Sequence, residues 1–185
     1  LRTRLSSQKA AQLLGLKTMI MNFSNEAWAL EFEDGTQMSG LRSEHIKEAA
    51  AVVSQYCDMV AIRAFASLNS KENDEKEIVL KSFKKYASIP VINMESATAH
   101  PLQALADAIT IKENNKVKRP KIVLTWAPHP KALPHAVGNS FVRMANKIDC
   151  DLSLISTGAS IESWLLESNL SKDEKGFVKV NKNLL

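Results

Sequence analysis

The sequence predicts an α/β fold, a parallel sheet with helices on both faces, and two observations carry that expectation. Short continuous apolar runs of strand length recur at 17–23 ("KTMIMNF"), 59–66 ("MVAIRAFA"), 90–94 ("PVINM") and 121–126 ("KIVLTW"). Stretches with helical spacing alternate with them, as right-handed crossovers between strands buried on both faces require.

The elements follow in order. Residues 3–14 favour a helix that stops at Gly15, a natural left-handed C-terminal position. After the first apolar run, "EAWALEFEDGTQMSGLRS" is polar and punctuated by Gly. Ile46, Ala49, Ala50 and Val53 then keep helical spacing behind Ser43 as the expected N-cap, with Glu44 in the first turn. A charged loop leads from the second run to a helix around 75–87. The third run feeds "ESATAHPLQ", after which Leu102, Leu105 and Ile109 are expected to line one helix face, and "NNKVKRP" links to the fourth run.

Composition narrows the function classes. The 185 residues suffice for one large domain or one domain and part of another, and an apolar fraction of 45% is ordinary for a globular chain. With 24 basic and 20 acidic side chains the net charge is +4, and the Lys residues are scattered. That balance argues against nucleic acid as a partner and suits a small anionic ligand. Cys57 and Cys150 belong to no CxxC pair and lack zinc-site spacing, so they read as reduced thiols of a cytoplasmic protein. No apolar run reaches the roughly 18–20 residues of a membrane span, so no membrane partner is expected. The chain opens at Leu1, inside "LRTRLSSQKAAQLLG", and is expected to be part of a longer protein.

In open parallel sheets ligands bind beyond the carboxyl ends of the strands. There the sequence places Asn22 to Trp28, Arg63, Glu95 to Gln103, and Trp126 to Pro130. Arg2, Thr3 and Arg4 sit at a helix start, where free N–H groups and the helix dipole favour an anion; taken alone they read as well as a solvated basic helix start. Arg63 leaves a buried strand, and a guanidinium there usually has an anionic partner. His100 precedes Pro101, which fits the first helical position, yet His is a weaker cap than Ser, Thr, Asp or Asn. Either His100 is a satisfied loop histidine, or its imidazole and the Gln103 amide stand over one helix entrance as donors to a planar, oxygen-rich anion.

"LRTR" before a helix, "HPLQALADAITI" and "TWAPHPKALPHAV", in this order over about residues 1–150, resemble the aspartate/ornithine carbamoyltransferase family, and within it the acylornithine branch. The resemblance implies a carbamoyl-phosphate-binding domain over residues 1–115 that lacks its start, and the beginning of an acylornithine-binding domain over 116–150. It implies transfer of a carbamoyl group from carbamoyl phosphate to the side-chain amine of an N-acylornithine in arginine biosynthesis, with no cofactor and no metal. Leu1, Arg2, Thr3 and Arg4 occupy the last four positions of a Ser-x-Arg-Thr-Arg carbamoyl-phosphate motif, and Arg63, His100 and Gln103 match further carbamoyl-phosphate contacts. Arg63 and His100 would be catalytic. Trp28, Ser43, Glu95 and His129 resemble acylornithine-pocket residues, with Trp28 on a loop that reaches a neighbouring subunit of a homotrimer. By the same resemblance, acetyl-preferring members carry Glu where Ser43 aligns, so a Ser there favours N-succinylornithine over N-acetylornithine.

The likeness stops near Cys150. Residues 151–185 read as a divergent or foreign tail that weakly resembles flavin-dependent pyridine-nucleotide oxidoreductases, or as a divergent strand, helix and hairpin. No GxGxxG or P-loop is present. Two function classes follow: a carbamoyltransferase, and a truncated or chimeric remnant that keeps only an anion site.

Overall fold

In the chain, α1 (Arg2–Leu13) ends in a Schellman arrangement: Leu16 N donates to Ala11 O at 2.8 Å and Gly15 N to Gln12 O at 3.1 Å. Gly15 takes φ +73° as the sequence requires. The computed structural model describes residues 2–23, 29–38, 42–126, 133–156, 171–172 and 178–179. No helix among them is long and apolar enough to cross a membrane.

Parallel pairing dominates. β1 (Leu30–Glu31) pairs with β2 (Glu44–His45), and α2 (Ile46–Tyr56) follows β2 directly. β3 (Val60–Arg63) and β4 (Val91–Glu95) form a second parallel pair, joined by α3 (Lys71–Lys76) and α4 (Ile78–Tyr86). α5 (Pro101–Asn114) leads to β5 (Lys121–Trp126), which runs parallel to β6 (Asp151–Ser156) over six paired residues, with α6 (Ala136–Ala145) as the crossover. The short strands β7 (Ser171–Lys172) and β8 (Val178–Lys179) complete that sheet antiparallel, in the order β5-β6-β8-β7. The first residues of the tail are thus continuous with the sheet begun by β5.

Two apolar cores hold these layers. Ile46, Ala49 and Ala50 recur at one face of α2, and the small alanines let that helix sit close to Ile62 of β3 and Phe83 of α4. Phe23 packs edge-on against Phe83 with ring centroids 6.1 Å apart. The second core joins Val142 and Ala145 of α6 to Leu152 and Leu154 of β6, with Cys150 between them. Both cysteines are free thiols, Cys150 buried and Cys57 half-buried.

Several local expectations are corrected. Residues 17–23 form no strand among the described residues, and Met19 and Met21 are 68% and 58% exposed. A strand exists only through its neighbour, and this segment has no described one. The helix expected around 75–87 is two helices, broken at Glu77, whose backbone is left-handed at φ 47°, ψ 44°. His45, not Ser43, caps α2, its Nδ1 accepting from Lys47 N at 3.1 Å; Glu44 lies in β2, and the first-turn acid is Glu48. Leu102, Leu105 and Ile109 do share one face of α5, as expected, but that face is exposed and the buried residue of the helix is Ala104.

The contrast between core and exposed segment is measurable. Ile46→Ala should lower the unfolding free energy by about 2–5 kcal/mol, read from the urea midpoint, because Ile46 is fully buried. Ile20→Ala should change it by no more than about 0.5 kcal/mol.

Candidate active site

Arg63 ends β3 and Glu95 ends β4, and a bulge makes them partners. The register runs Val60↔Val91, Ala61↔Ile92, Ile62↔Asn93, then skips Met94 so that Arg63 faces Glu95. Arg63 Nε and Nη2 both donate to Glu95 Oε2, at 2.9 and 2.6 Å. Its Nη1 donates to Thr3 Oγ1, which brings the first turn of α1 to the strand ends. The guanidinium also lies over the Phe65 ring, 4.5 Å from its centroid. Glu95 is buried at 7% exposure, so its charge is sustained by these donors and not by water. A guanidinium has five N–H groups. Three are engaged here, which leaves one hydrogen on each terminal nitrogen of Arg63 to meet another oxygen.

His100 joins the same carboxylate, with Nε2 3.5 Å from Glu95 Oε2. It also caps α5, contrary to the doubt its residue type raises: Nδ1 accepts from Gln103 N at 3.3 Å, and Pro101 takes the first helical position. That bond assigns the proton of the neutral imidazole to Nε2, the nitrogen facing Arg63 and Glu95. The Gln103 amide turns along the helix and donates to Asp107 Oδ1 at 2.9 Å. It is not directed over the helix entrance beside the imidazole. Arg2 and Arg4 are exposed on α1, one on each side of Thr3 in sequence.

Ser43 is exposed on a separate loop. Its neighbour Arg42 donates to Glu31 Oε1 at 2.7 Å, and the same oxygen accepts from the backbone N–H groups of Phe32 and Glu33 at 2.7 and 2.9 Å. A second tie at the loop's base joins Asp34 to Lys85 at 2.7 Å and to the Tyr86 hydroxyl. Of the other expected site residues, Leu1, Trp28 and His129 lie outside the described residues. Near the end of β5, Trp126 meets His135 edge-on with centroids 5.4 Å apart.

Sequence reasoning missed a set of polar groups behind His100. Ser140 on α6, only 5% exposed, accepts from His100 N at 2.7 Å through its Oγ, and Asn139 Nδ2 donates to Thr98 O at 3.0 Å. Glu77 Oε1 accepts from both Thr98 N and Thr98 Oγ1, at 3.1 and 2.8 Å. The available signal was "GNS" inside an otherwise apolar helical stretch.

The chain matches known proteins at this site and beyond it. The profile of the family described as aspartate/ornithine carbamoyltransferase, carbamoyl-P binding domain, matches residues 1–113. N-succinylornithine carbamoyltransferase of Bacteroides thetaiotaomicron is 49% identical over 151 residues, which are 82% of this chain and 48% of that protein. N-acetylornithine carbamoyltransferase of Xanthomonas axonopodis pv. citri is 40% identical over 158 residues, 84% of this chain and 46% of that protein. The crystal structure of acetylornithine transcarbamylase complexed with acetylcitrulline superposes with a TM-score of 0.78 at 36% identity, covering 91% of this chain and 53% of that one. A glutamate-to-serine variant of N-acetyl-L-ornithine transcarbamylase, complexed with carbamyl phosphate and N-succinyl-L-norvaline, superposes with a TM-score of 0.79 at 36% identity, over the same shares of both chains. The chain spans about half the length of these relatives.

The Glu31 clasp gives a pH test of the loop that carries Ser43. The backbone N–H of Glu33 is the largest influence; burial opposes it, and the Phe32 N–H and Arg42 add to it, so the carboxyl sits below its ordinary value of 4.5. A depressed acid contributes stability above its unfolded pKa and loses it as pH falls through the folded one. In urea unfolding, the stability difference between wild type and Glu31→Gln should therefore be full at neutral pH and shrink as the pH drops below 4.5.

Proposed function

Because the chain belongs to the aspartate/ornithine carbamoyltransferase family, we propose that it carries the carbamoyl-phosphate site of an N-acylornithine carbamoyltransferase. The observation that carries this reading is the Arg63, Glu95 and His100 cluster, with Thr3 bonded to its guanidinium. In the reaction an unprotonated side-chain amine attacks the carbamoyl carbon, negative charge develops on the carbonyl oxygen, and the carbon–oxygen bond to phosphate breaks, so that phosphate leaves with the proton the amine nitrogen gives up and the N-acylcitrulline remains. The residues must hold both reactants and stabilise that charge.

Glu95 fixes the guanidinium plane and leaves the outer N–H groups of Arg63 for the carbonyl oxygen. The His100 Nε2–H adds a second donor, and the Thr3 hydroxyl, which accepts from Arg63, keeps its own hydrogen to give to the ligand. The start of α1, with Arg2 and Arg4, receives the phosphate. Gln103 holds the carbamoyl NH2 once its side chain leaves Asp107. Glu95, Trp28, Ser43 and His129 serve the acylornithine, and a homotrimer in which Trp28 crosses to a neighbour completes each site. Residues 1–115 form the carbamoyl-phosphate domain in this reading, and 116–150 open the acylornithine domain.

N-succinylornithine is the favoured amine. Two N-succinylornithine carbamoyltransferases, from Bacteroides thetaiotaomicron and Bacteroides fragilis, share 49% and 48% identity with the chain, against 40% for the Xanthomonas N-acetylornithine enzyme. The exposed Ser43 hydroxyl bears no charge to repel a succinyl carboxylate.

Calorimetric titration with carbamoyl phosphate, followed by assays with N-succinyl- and N-acetyl-L-ornithine, separates a transferase from a remnant that only binds the anion. Binding with no turnover in any longer form of the protein would favour the remnant. Where turnover is found, Arg63→Ala should lower it by about 10²–10³-fold, the usual cost of one oxyanion donor, and near-normal turnover would remove Arg63 from the site. Ser43→Glu should lower kcat/KM for the succinyl substrate relative to the acetyl one by about tenfold or more, through like-charge repulsion.

A further inference from the structure

Thr98 stands two residues before His100, and all three of its polar groups are held. Its N–H and its hydroxyl both donate to Glu77 Oε1, at 3.1 and 2.8 Å, and its carbonyl accepts from Asn139 Nδ2 at 3.0 Å. The turn between is closed by Ser96 N donating to Ala99 O at 2.7 Å and by Ala99 N donating to Ser96 Oγ at 3.2 Å. His100 N then donates to Ser140 Oγ at 2.7 Å. The approach to the imidazole is therefore gripped from the α3–α4 junction on one side and from α6 on the other.

The junction is not a relaxed one. Glu77 bears a side chain at φ 47°, ψ 44°, a conformation that L residues other than Gly, Asn and Asp seldom adopt. It makes no side-chain cap for α4; its carboxylate is turned instead to Thr98. Burial pushes that carboxyl up, but hydrogen bonds from Ser96 and Thr98 outweigh it and hold the group below its ordinary value. A strained backbone whose carboxylate accepts two hydrogen bonds from one residue through Oε1 marks a position kept for what the side chain holds.

We propose that Glu77 is a positioning residue for His100, fixing Thr98 so that the imidazole keeps Nε2 towards Glu95 and Arg63. Its meaning for catalysis rests on the transferase reading above, but its effect on the imidazole does not. Glu77 touches no reacting atom in this account; it acts only through the 96–100 turn.

The readout is the tautomer of His100 in the intact chain, from long-range proton–nitrogen spectra at alkaline pH. His45 is the internal control, because its Nδ1 likewise accepts from a backbone N–H, that of Lys47 at 3.1 Å. In wild type both rings should show one tautomer with the proton on Nε2. Glu77→Gly removes the carboxylate while admitting the left-handed backbone, so the fold should persist. His100 should then average between tautomers and His45 should not. Thr98→Val should act in the same direction, and Thr98→Ser should restore the wild-type signal. A fixed His100 tautomer in Glu77→Gly overturns the proposal, and so does loss of both tautomers together, which would mark general loosening. Titration with carbamoyl phosphate is read separately. Glu77→Gly should weaken it about tenfold, whereas a wild type that does not bind would defeat the transferase reading and leave the tautomer result to decide the role of Glu77.

Discussion

One buried carboxylate oxygen organises the candidate site. Glu95 Oε2 accepts two hydrogen bonds from Arg63 and lies 3.5 Å from His100 Nε2. Charge in such a place is tolerable only when it is paired, and removing a partner costs far more than a surface pair would suggest. The requirement runs outward from there. The β3–β4 bulge must set Arg63 opposite Glu95, the first turn of α1 must bring Thr3 to the guanidinium, and the 96–100 turn must deliver the imidazole.

The turn is where the two apolar cores meet in function. Glu77 stands at the start of α4, whose Phe83 belongs to the core of α2 and β3, while Ser140 lies on α6, whose Val142 and Ala145 belong to the core of β6. Both accept hydrogen bonds from one segment of three residues. Polar side chains do this because carboxylate, hydroxyl and amide groups can satisfy backbone N–H and C=O groups where the chain is neither helix nor strand.

Much of this was legible in the sequence, for reasons that differ from residue to residue. Arg63 announced itself by closing an apolar strand, and His100 by standing before a proline at a helix entrance; both signals are local. The alternation of apolar runs and helical spacing gave the parallel pairing, and "KIVLTW" became β5 without change of bounds. The rest was hidden because its causes are not local. Glu95 read as a substrate contact could not be seen to bind Arg63, since the pairing depends on a skipped residue in the partner strand. Glu77 carries no residue-type signal for a left-handed backbone, so one helix was expected where two occur. The 17–23 run has the right composition for a strand but no described neighbour to make it one.

Pairing Arg63 with its own carboxylate also governs how a charged ligand would first meet the protein. At rest the Arg63 guanidinium and Glu95 offset one another, so that pair casts little long-range field. Among the described residues named for the site, the exposed guanidinium groups of Arg2 and Arg4, screened over about 8 Å at physiological ionic strength, carry positive charge towards solvent and would attract an anion. In the proposed site, capture of a dianion and its later hold would thus fall to different arginines: added salt would slow the encounter at Arg2 and Arg4, while the Arg63 contact, backed by the buried Glu95, would set how long the anion stays.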